Sequence, residues 1–292
     1  MLLRIVSILF PLFAIVGLGF WVGRRARLDL SVANRLNMDV FVPCLVFAAM
    51  VSKGFHLGEF LPLAAITTVM VVLAGLVGWA ASLASGCQVK TLMPPIMFNN
   101  CGNLGLPVAV LAFGEQALAP AVVMFMVSNL LHFSFGAWLL DHQTRLTTIW
   151  KVRSVLATLA GIAVGALGLE VWPPLLLAIR MVGDIAIPLM LFSLGVRLTD
   201  GHASAWRLGV GGGLLRPVSG LAIAGLVVWL VDLPAQQRAL VLVFGALPPA
   251  VLNFIFAERH RQEPEKVASI VMIGNVLSLV FLPLALALTL DH

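Results

Sequence analysis

Two segments of the sequence place asparagines beside helix-breaking residues. They are "MPPIMFNNCGNLGLP", Met93 to Pro107, and "LPPAVLNF", Leu247 to Phe254. An amide side chain both donates and accepts hydrogen bonds, so it can satisfy loose backbone groups and also hold a polar ligand. The candidate substrate ligands in these segments are Asn99, Asn100, Asn103 and Asn253.

Paired prolines predict an interrupted helix in each segment, because proline removes a backbone donor and clashes with the preceding turn. Inside a membrane, freed backbone groups are tolerated only where they face protein or a water-filled cavity. Each restarted half-helix would point its positive dipole end at that cavity, which favours an anion. The alternative is that these residues only kink the helices for packing. The predicted helix-break residues are Pro94, Pro95, Gly102, Gly105, Pro107, Pro248 and Pro249.

Arg216 lies about ten residues inside a hydrophobic run, where its side chain cannot easily reach water. A guanidinium can hold a carboxylate through two hydrogen bonds, so one interpretation is substrate contact. The competing interpretation is an ion pair with an aspartate of another helix. Asn129 and Asn275 are further candidates for the wall of the site, against a role in interhelical hydrogen bonding alone.

Three titratable residues are candidates for coupling or gating. Asp39 and Asp184 are carboxylates deep within hydrophobic runs, where acids are costly. Arg180 precedes Asp184 by four residues, a spacing that allows a local ion pair and favours a structural role. His132 can titrate near neutral pH, although a lone histidine also serves as a packing residue.

The composition is that of an integral membrane protein. Of 292 residues, 61% are hydrophobic and 11% are charged, and the mean hydropathy is +1.05. A helix needs about 20 apolar residues to cross a bilayer. Hydrophobic runs of this kind predict an all-α protein with ten spans, at roughly 3–23, 31–52, 60–85, 91–113, 116–140, 152–170, 174–197, 207–231, 236–257 and 266–290.

The distribution of Lys and Arg predicts the orientation in the membrane. The loops after odd-numbered spans carry Arg24, Arg25, Arg27, Arg35, Lys90, Arg145, Lys151, Arg153, Arg197, Arg207, Arg259, Arg261 and Lys266, and the opposite loops carry Arg4, Lys53, Arg180 and Arg238. Both termini are therefore expected outside the cytoplasm. The net charge of +5 is accounted for by topology and does not indicate nucleic acid binding. No cofactor is expected, and the three cysteines lack the spacing of a metal site or a disulfide framework.

Three motifs recur in the same order in the two halves of the chain. D-x-x-x-P occurs at Asp39 and at Asp184, P-P-x-x-x-N at Pro94 and at Pro248, and the pair "MVSN" and "MIGN" ends at Asn129 and at Asn275. The predicted units are a five-helix repeat at 1–140, a cytoplasmic linker at 141–151 and a second five-helix repeat at 152–292. Because five is odd, the second repeat is inverted, and inverted repeats with broken helices are typical of secondary transporters.

Longer stretches resemble the auxin efflux carrier family. "NNCGNLGLPVAVLAFGEQAL" resembles its N-x-G-x-x-G-x-P region, "DIAIPLMLFSLGVRL" its seventh helix, and "LPPAVLNFIFAERHRQEPEKVASIVMIGNVLSL" its ninth and tenth helices. The resemblance implies a compact bacterial member in the inner membrane, with a fold related to the bile acid sodium symporters. It also implies a scaffold of helices 1, 2, 6 and 7, a transport domain of helices 3–5 and 8–10, crossing helices 4 and 9, and a homodimer.

The resemblance further implies elevator-type transport of a small organic anion such as malonate, malate or an auxin-like acid. Helices 4, 5, 9 and 10 offer amides but no deep carboxylate, so proton coupling or uniport is favoured over sodium symport. A sodium-coupled symporter and a carrier-derived sensor remain alternatives. The motifs of common hydrolases are missing from the sequence, and we expect a transporter rather than an enzyme.

Overall fold

The computed structural model describes residues 2–26, 28–51, 57–143, 152–199 and 205–290. Four residues of the charge distribution lie outside the described residues: Arg27, Lys53, Arg145 and Lys151. Most of the predicted linker at 141–151 lies outside them as well.

The first half of the chain is helical. Its α-helices are α1 (Leu2–Arg25), α2 (Ser31–Leu36), α3 (Val42–Met50), α4 (Leu57–Ser85), α5 (Val89–Met97), α6 (Leu106–Phe113), α7 (Leu118–Leu131) and α8 (Ala137–Leu140). Short π-helical segments join α2 to α3, lead into α6 and join α7 to α8; they are Asn37–Phe41, Cys101–Gly105 and His132–Gly136. A 3-10 turn, Glu115–Ala117, precedes α7.

The second half also combines long helices with interrupted ones. Its α-helices are α9 (Arg153–Ala166), α10 (Pro173–Gly183), α11 (Ala186–Arg197), α12 (Trp206–Leu230), α13 (Ala235–Ala246), α14 (Val251–Arg259) and α15 (Pro264–Leu290).

The helices confirm an all-α, multi-pass membrane protein. Among the described residues, seven helical stretches are long and apolar enough to cross a membrane: Leu2–Arg25, Ser31–Met50, Phe60–Ser85, Glu115–Leu140, Pro173–Arg197, Trp206–Leu230 and Pro264–Leu290. The other three predicted spans are helical, but two are interrupted and α9 has only 14 residues. Large apolar side chains such as Leu3 and Trp229 are exposed, as lipid-facing residues are.

The interruption after α5 lies later than the prolines predicted. Pro94 and Pro95 are inside α5, and the helix ends only after Met97. Each proline removes one hydrogen bond while its φ angle remains compatible with a helix, so the bonds of neighbouring residues continue the helix past both. Pro107 is the second residue of α6, and Gly102 and Gly105 lie in the π-helical segment before the helix. Pro248 and Pro249, by contrast, lie in the interruption itself.

The helices pack as two groups. In the α1 group, α1 and α2 pack against α11, and α3 packs against α9 and α10. In the crossing group, α4 packs against α5 and α7, α12 packs against α13, α15 and α4, and α14 packs against α15. The two groups meet where α1 contacts α6 and α15, and where α3 contacts α7. The resemblance implies a scaffold and a transport domain divided in this way, and that functional division stays a prediction.

Side-chain hydrogen bonds at one end of the crossing group join α5 to the connection between α14 and α15. The Thr91 hydroxyl donates to Glu263 Oε2 at 2.5 Å, and Gln262 Nε2 donates to Gln88 Oε1 at 2.6 Å. Lys266 also donates to the Glu263 carboxylate. These bonds from Lys266 and Thr91 lower the pKa of Glu263.

Glycines allow α1 and α11 to pack at backbone contact. A Cβ on Gly19 would lie 2.1 Å from the Phe192 carbonyl oxygen, and a Cβ on Gly195 would lie 2.0 Å from the Val16 carbonyl oxygen. Any side chain at either position must therefore push the helices apart. Gly17, also on α1, has no heavy atom within 4 Å of a Cβ.

We expect Gly19→Ala to lower the stability of the folded protein by about 1 to 3 kcal/mol, since overpacking costs that much and the contact is with backbone. Gly17→Ala is the matched control on the same helix, where alanine gains helix propensity without a clash. Thermal unfolding in detergent would measure both. Equal melting temperatures for the two variants would show that the close packing is not required.

Candidate functional site

Two interrupted helices meet at the centre of the crossing group. After α5 the chain is non-helical at 98–100, and after α13 it is non-helical at 247–250. The Asn100 N–H donates to the Pro248 carbonyl at 2.8 Å, and the Ala250 N–H donates to the Phe98 carbonyl at 2.9 Å. Asn99 and Pro249 form an isolated antiparallel bridge between them. We call these two paired segments the crossing.

Asparagine side chains satisfy backbone carbonyls at the crossing. Asn253 Nδ2 donates to the Phe98 carbonyl at 3.1 Å and to the Ala250 carbonyl at 3.0 Å. Asn99 Nδ2 donates to the Phe244 carbonyl at 2.7 Å, near the end of α13. Both amides therefore hold the segment of the opposite half.

Asn275 fixes α15 to both segments of the crossing. Its Oδ1 accepts from Asn100 Nδ2 at 2.9 Å, and its Nδ2 donates to the Pro249 carbonyl at 3.0 Å. The same Nδ2 also donates to the Val271 carbonyl at 2.8 Å. Two of the predicted ligands, Asn100 and Asn275, are thus engaged with each other in this structure.

A cavity of about 160 Å³, the main cavity, lies between the crossing and the α1 group. The crossing group contributes its first wall: Phe98, Asn99, Asn100, Cys101, Gly102, Asn103, Phe125, Ser128, Asn129, His132, Ala250, Val251, Leu252 and Ile255. The α1 group contributes the second: Asn34, Asn37, Met38, Val42, Met190, Ser193 and Arg197. The site is therefore formed only when both groups are present.

Several polar atoms on these walls are buried without a hydrogen-bond partner among the described residues. They are Asn37 Oδ1, Asn99 Oδ1, Asn129 Nδ2 and Ser193 Oγ. Buried polar groups are nearly always paired, and each exception calls for an explanation. Here the exceptions lie around one cavity and include donors and acceptors, as a site for a polar ligand would.

A second cavity of about 280 Å³ shares Asn34, Arg197 and Val251 with the main cavity. It extends past Asp29 and Ser31, at the start of α2, and Asn275 also lines it. The basic side chain of Arg197 lies on the wall that the two cavities share.

Residues 152–286 match the family model described as "Membrane transport protein". The matched segment is 135 of the 292 residues, and over it the chain is similar to this membrane transport family. This confirms the resemblance to the auxin efflux carriers, and it makes the protein a transporter rather than an enzyme at the level of the family. No curated protein matches the chain.

Arg216 of the transporter lies behind the main cavity. It is 4% exposed and lines a separate cavity of about 10 Å³ with Asn99, Ser128 and others. Asn99 and Ser128 line both cavities, so they separate the guanidinium from the main cavity. The predicted direct contact with substrate is not present in this arrangement, and neither is an ion pair with a described aspartate.

The two aspartates of the transporter lie away from the main cavity. Asp39 forms an ion pair with Arg153, with 3.5 Å between Oδ1 and Nε, inside the α1 group. Asp184 is exposed and lines a different cavity, of about 350 Å³, with Arg180 and Glu115. The local Arg180–Asp184 ion pair allowed by the spacing does not form.

His132 is packed inside the crossing group at the edge of the main cavity. Its ring stacks on Phe98 with centroids 4.0 Å apart, and Phe256 meets it edge-on at 5.2 Å. Its side chain also lies within hydrogen-bonding reach of the Asn253 side chain. The histidine therefore supports the position of Phe98 at the crossing.

Sequence reasoning missed the second wall of the site. Asn34 and Asn37 are three residues apart on α2 and the following π turn, and Ser193 and Arg197 are four residues apart on α11. Both spacings place polar side chains on one helix face. Polar residues at helical spacing inside a hydrophobic run are therefore the signal by which the sequence marks this wall.

We expect Asn275→Ala to destabilise the transporter by about 1 to 3 kcal/mol, because it leaves Asn100 Nδ2 and the Pro249 carbonyl without their partner. Ser278→Ala is the matched control on α15, since that hydroxyl bonds only to the Asn275 carbonyl of its own helix. Thermal unfolding in detergent would report both changes. A loss no larger than that of the control would contradict the assigned role.

Proposed function

We propose that the protein is a secondary transporter that carries a small organic anion through the main cavity. The observation that supports this most directly is the meeting of a helix N-terminus with unpartnered buried amides on one wall. Asn129 Nδ2 is buried without a partner, and the first turn of α14 begins on the same wall at Val251.

The first turn of α14 favours a negative charge. The N–H groups at the start of a helix have no intrahelical acceptor, and the aligned peptide dipoles place positive charge there. Val251 and Leu252 line the cavity and are the first residues of this nine-residue helix. Arg197 adds a formal positive charge on the opposite wall. The main cavity is therefore suited to a carboxylate.

The cavity volume supports a ligand of few atoms. About 160 Å³ is the room occupied by about five water molecules in the liquid. A short mono- or dicarboxylate such as malonate or malate fits this volume better than a sterol acid does. The second cavity borders the main cavity at Arg197, and we infer that such an anion passes between them when the helices move.

Transport in this proposal follows the elevator mechanism. The crossing group moves as the transport domain against the α1 group as the scaffold, and all ten predicted spans form two inverted repeats. The position of the cavity between two separately packed helix groups supports this division. The proposal retains a bacterial inner membrane, both termini outside the cytoplasm and a homodimer through the scaffold.

The coupling ion belongs to the same proposal. Amides and hydroxyls from the crossing group line the main cavity, and no Asp or Glu is among its described lining residues. This chemistry favours proton coupling or uniport. Uptake of labelled malonate into proteoliposomes with and without a sodium gradient separates this from sodium symport, and counterflow of preloaded malonate separates a carrier from a sensor that only binds.

We expect Asn129→Ala to weaken malonate binding about tenfold or more while leaving stability nearly unchanged, since a charge-assisted hydrogen bond is lost but no internal partner is orphaned. The measurement is the malonate concentration that half-saturates thermal stabilisation, with malate as a second probe.

Gln143→Ala is the control for removing an amide, because Gln143 is exposed and lies outside both cavities. Unchanged half-saturation in Asn129→Ala would reject Asn129 as a ligand. If neither malonate, malate nor other short carboxylates stabilise the wild-type protein, the anion proposal itself fails.

A further inference from the structure

The fold makes room for the Arg216 guanidinium deep inside the crossing group. Arg216 is near the middle of α12 and is 4% exposed. A Cβ on Gly220, one turn later, would lie 2.3 Å from Arg216 Nη1. Only glycine at this position leaves space for the side chain, so the helix is shaped around it.

Two of the three guanidinium nitrogens have no partner that would account for the burial of the side chain. Arg216 Nε and Nη1 are buried without a hydrogen bond, and no described carboxylate lies within 4.0 Å of the side chain. Burying an unpaired charge is costly, and buried charges are normally paired. A purely structural role would be filled more favourably by an apolar side chain of similar volume.

The surroundings of the charge point toward the main cavity. The same Cβ on Gly220 would lie 2.1 Å from the Gly245 carbonyl oxygen, so the guanidinium lies beside the C-terminal end of α13. A cation there offsets the negative end of that helix dipole. The positive N-terminus of α14, across the break, is then left without a compensating negative charge. On the other side of the guanidinium, Asn99 and Ser128 line both its own small cavity and the main cavity.

We propose that the positive charge of Arg216 makes the main cavity selective for anions. The charge acts through the wall formed by Asn99 and Ser128, and the guanidinium does not touch the anion. The proposal rests on the proposed function only in taking this cavity as the anion site. In this proposal the charge of Arg216 attracts and positions the anion, and the guanidinium does not hold a carboxylate through two hydrogen bonds. At one side-chain layer of separation inside a protein, a unit charge changes anion occupancy on the order of tenfold to a hundredfold.

Cys101 allows a test that needs no knowledge of the substrate, because it lines the main cavity. In a Cys44→Ser, Cys87→Ser background, its modification rate is measured with the anionic sulfonatoethyl and the cationic trimethylammonioethyl methanethiosulfonates. The thiolate displaces methanesulfinate from each reagent in the same way. The ratio of the two rates therefore reports the local potential and cancels changes in thiol ionisation.

We expect the wild-type ratio to favour the anionic reagent, and Arg216→Gln to lower the ratio tenfold or more. Arg216→Lys keeps the positive charge but lacks the planar guanidinium, so its ratio should stay close to the wild-type ratio. Arg207→Gln is the matched control on α12, where the guanidinium lies over the exposed Trp206 ring, and should leave the ratio unchanged.

A ratio that is insensitive to Arg216→Gln, or loss of the ratio in Arg216→Lys as well, would overturn the proposal. Failure of both reagents to reach Cys101 in the folded protein would also overturn it, because the cavity would then admit no such anion.

Arg216→Met is a second neutral variant, which keeps the test usable if Arg216→Gln folds poorly. We expect both variants to unfold at or above the wild-type temperature, whereas loss of a structural arginine would lower it. Carboxylate binding and transport are measured separately, so failure of the proposed function is distinguishable.

Discussion

The structure depends on satisfying backbone polar groups where two helices are interrupted inside an apolar protein. Each interruption supplies what the other lacks: the Asn100 N–H reaches the Pro248 carbonyl, and the Ala250 N–H reaches the Phe98 carbonyl. Neither segment would be stable alone, because its groups would face hydrocarbon without partners. The two halves of the chain are consequently held together at their least regular points, and the site lies beside that junction.

The existence of the crossing was predictable, but its register was not. Paired prolines and asparagines identified both interrupted segments, and Asn253 does hold the opposite segment. The two breaks, however, begin at residues 98 and 247, which are 149 residues apart, whereas the P-P-x-x-x-N motifs are 154 residues apart. The first break therefore lies more than one helical turn later, relative to its prolines, than the second. One pair of prolines lies inside a helix and the other in the break, because the cost of a proline depends on whether neighbouring bonds can continue the helix.

What the sequence could not indicate was tertiary proximity. Arg216 was recognisable as a deeply placed cation, yet its distance from the cavity depends on the wall of Asn99 and Ser128 and on the space beside Gly220. The polar face of Asn34 and Asn37 belongs to the site only because α2 packs beside α11. Local patterns thus identified the types of residue that matter, and packing between distant helices decided which of them face the same space.

The distribution of hydrogen bonds bears on how such a site can move. The bonds that hold the crossing, from Asn99 to Phe244, from Asn100 to Asn275 and from Asn253 to Phe98, are all made within the crossing group. Displacement of this group against the α1 group would therefore leave them intact. The atoms left without partners, such as Asn37 Oδ1 and Asn129 Nδ2, lie on opposite walls of the cavity between the groups. A ligand there can satisfy the unpaired atoms while the interior of each group stays unchanged, which is the energetic separation that a moving carrier requires.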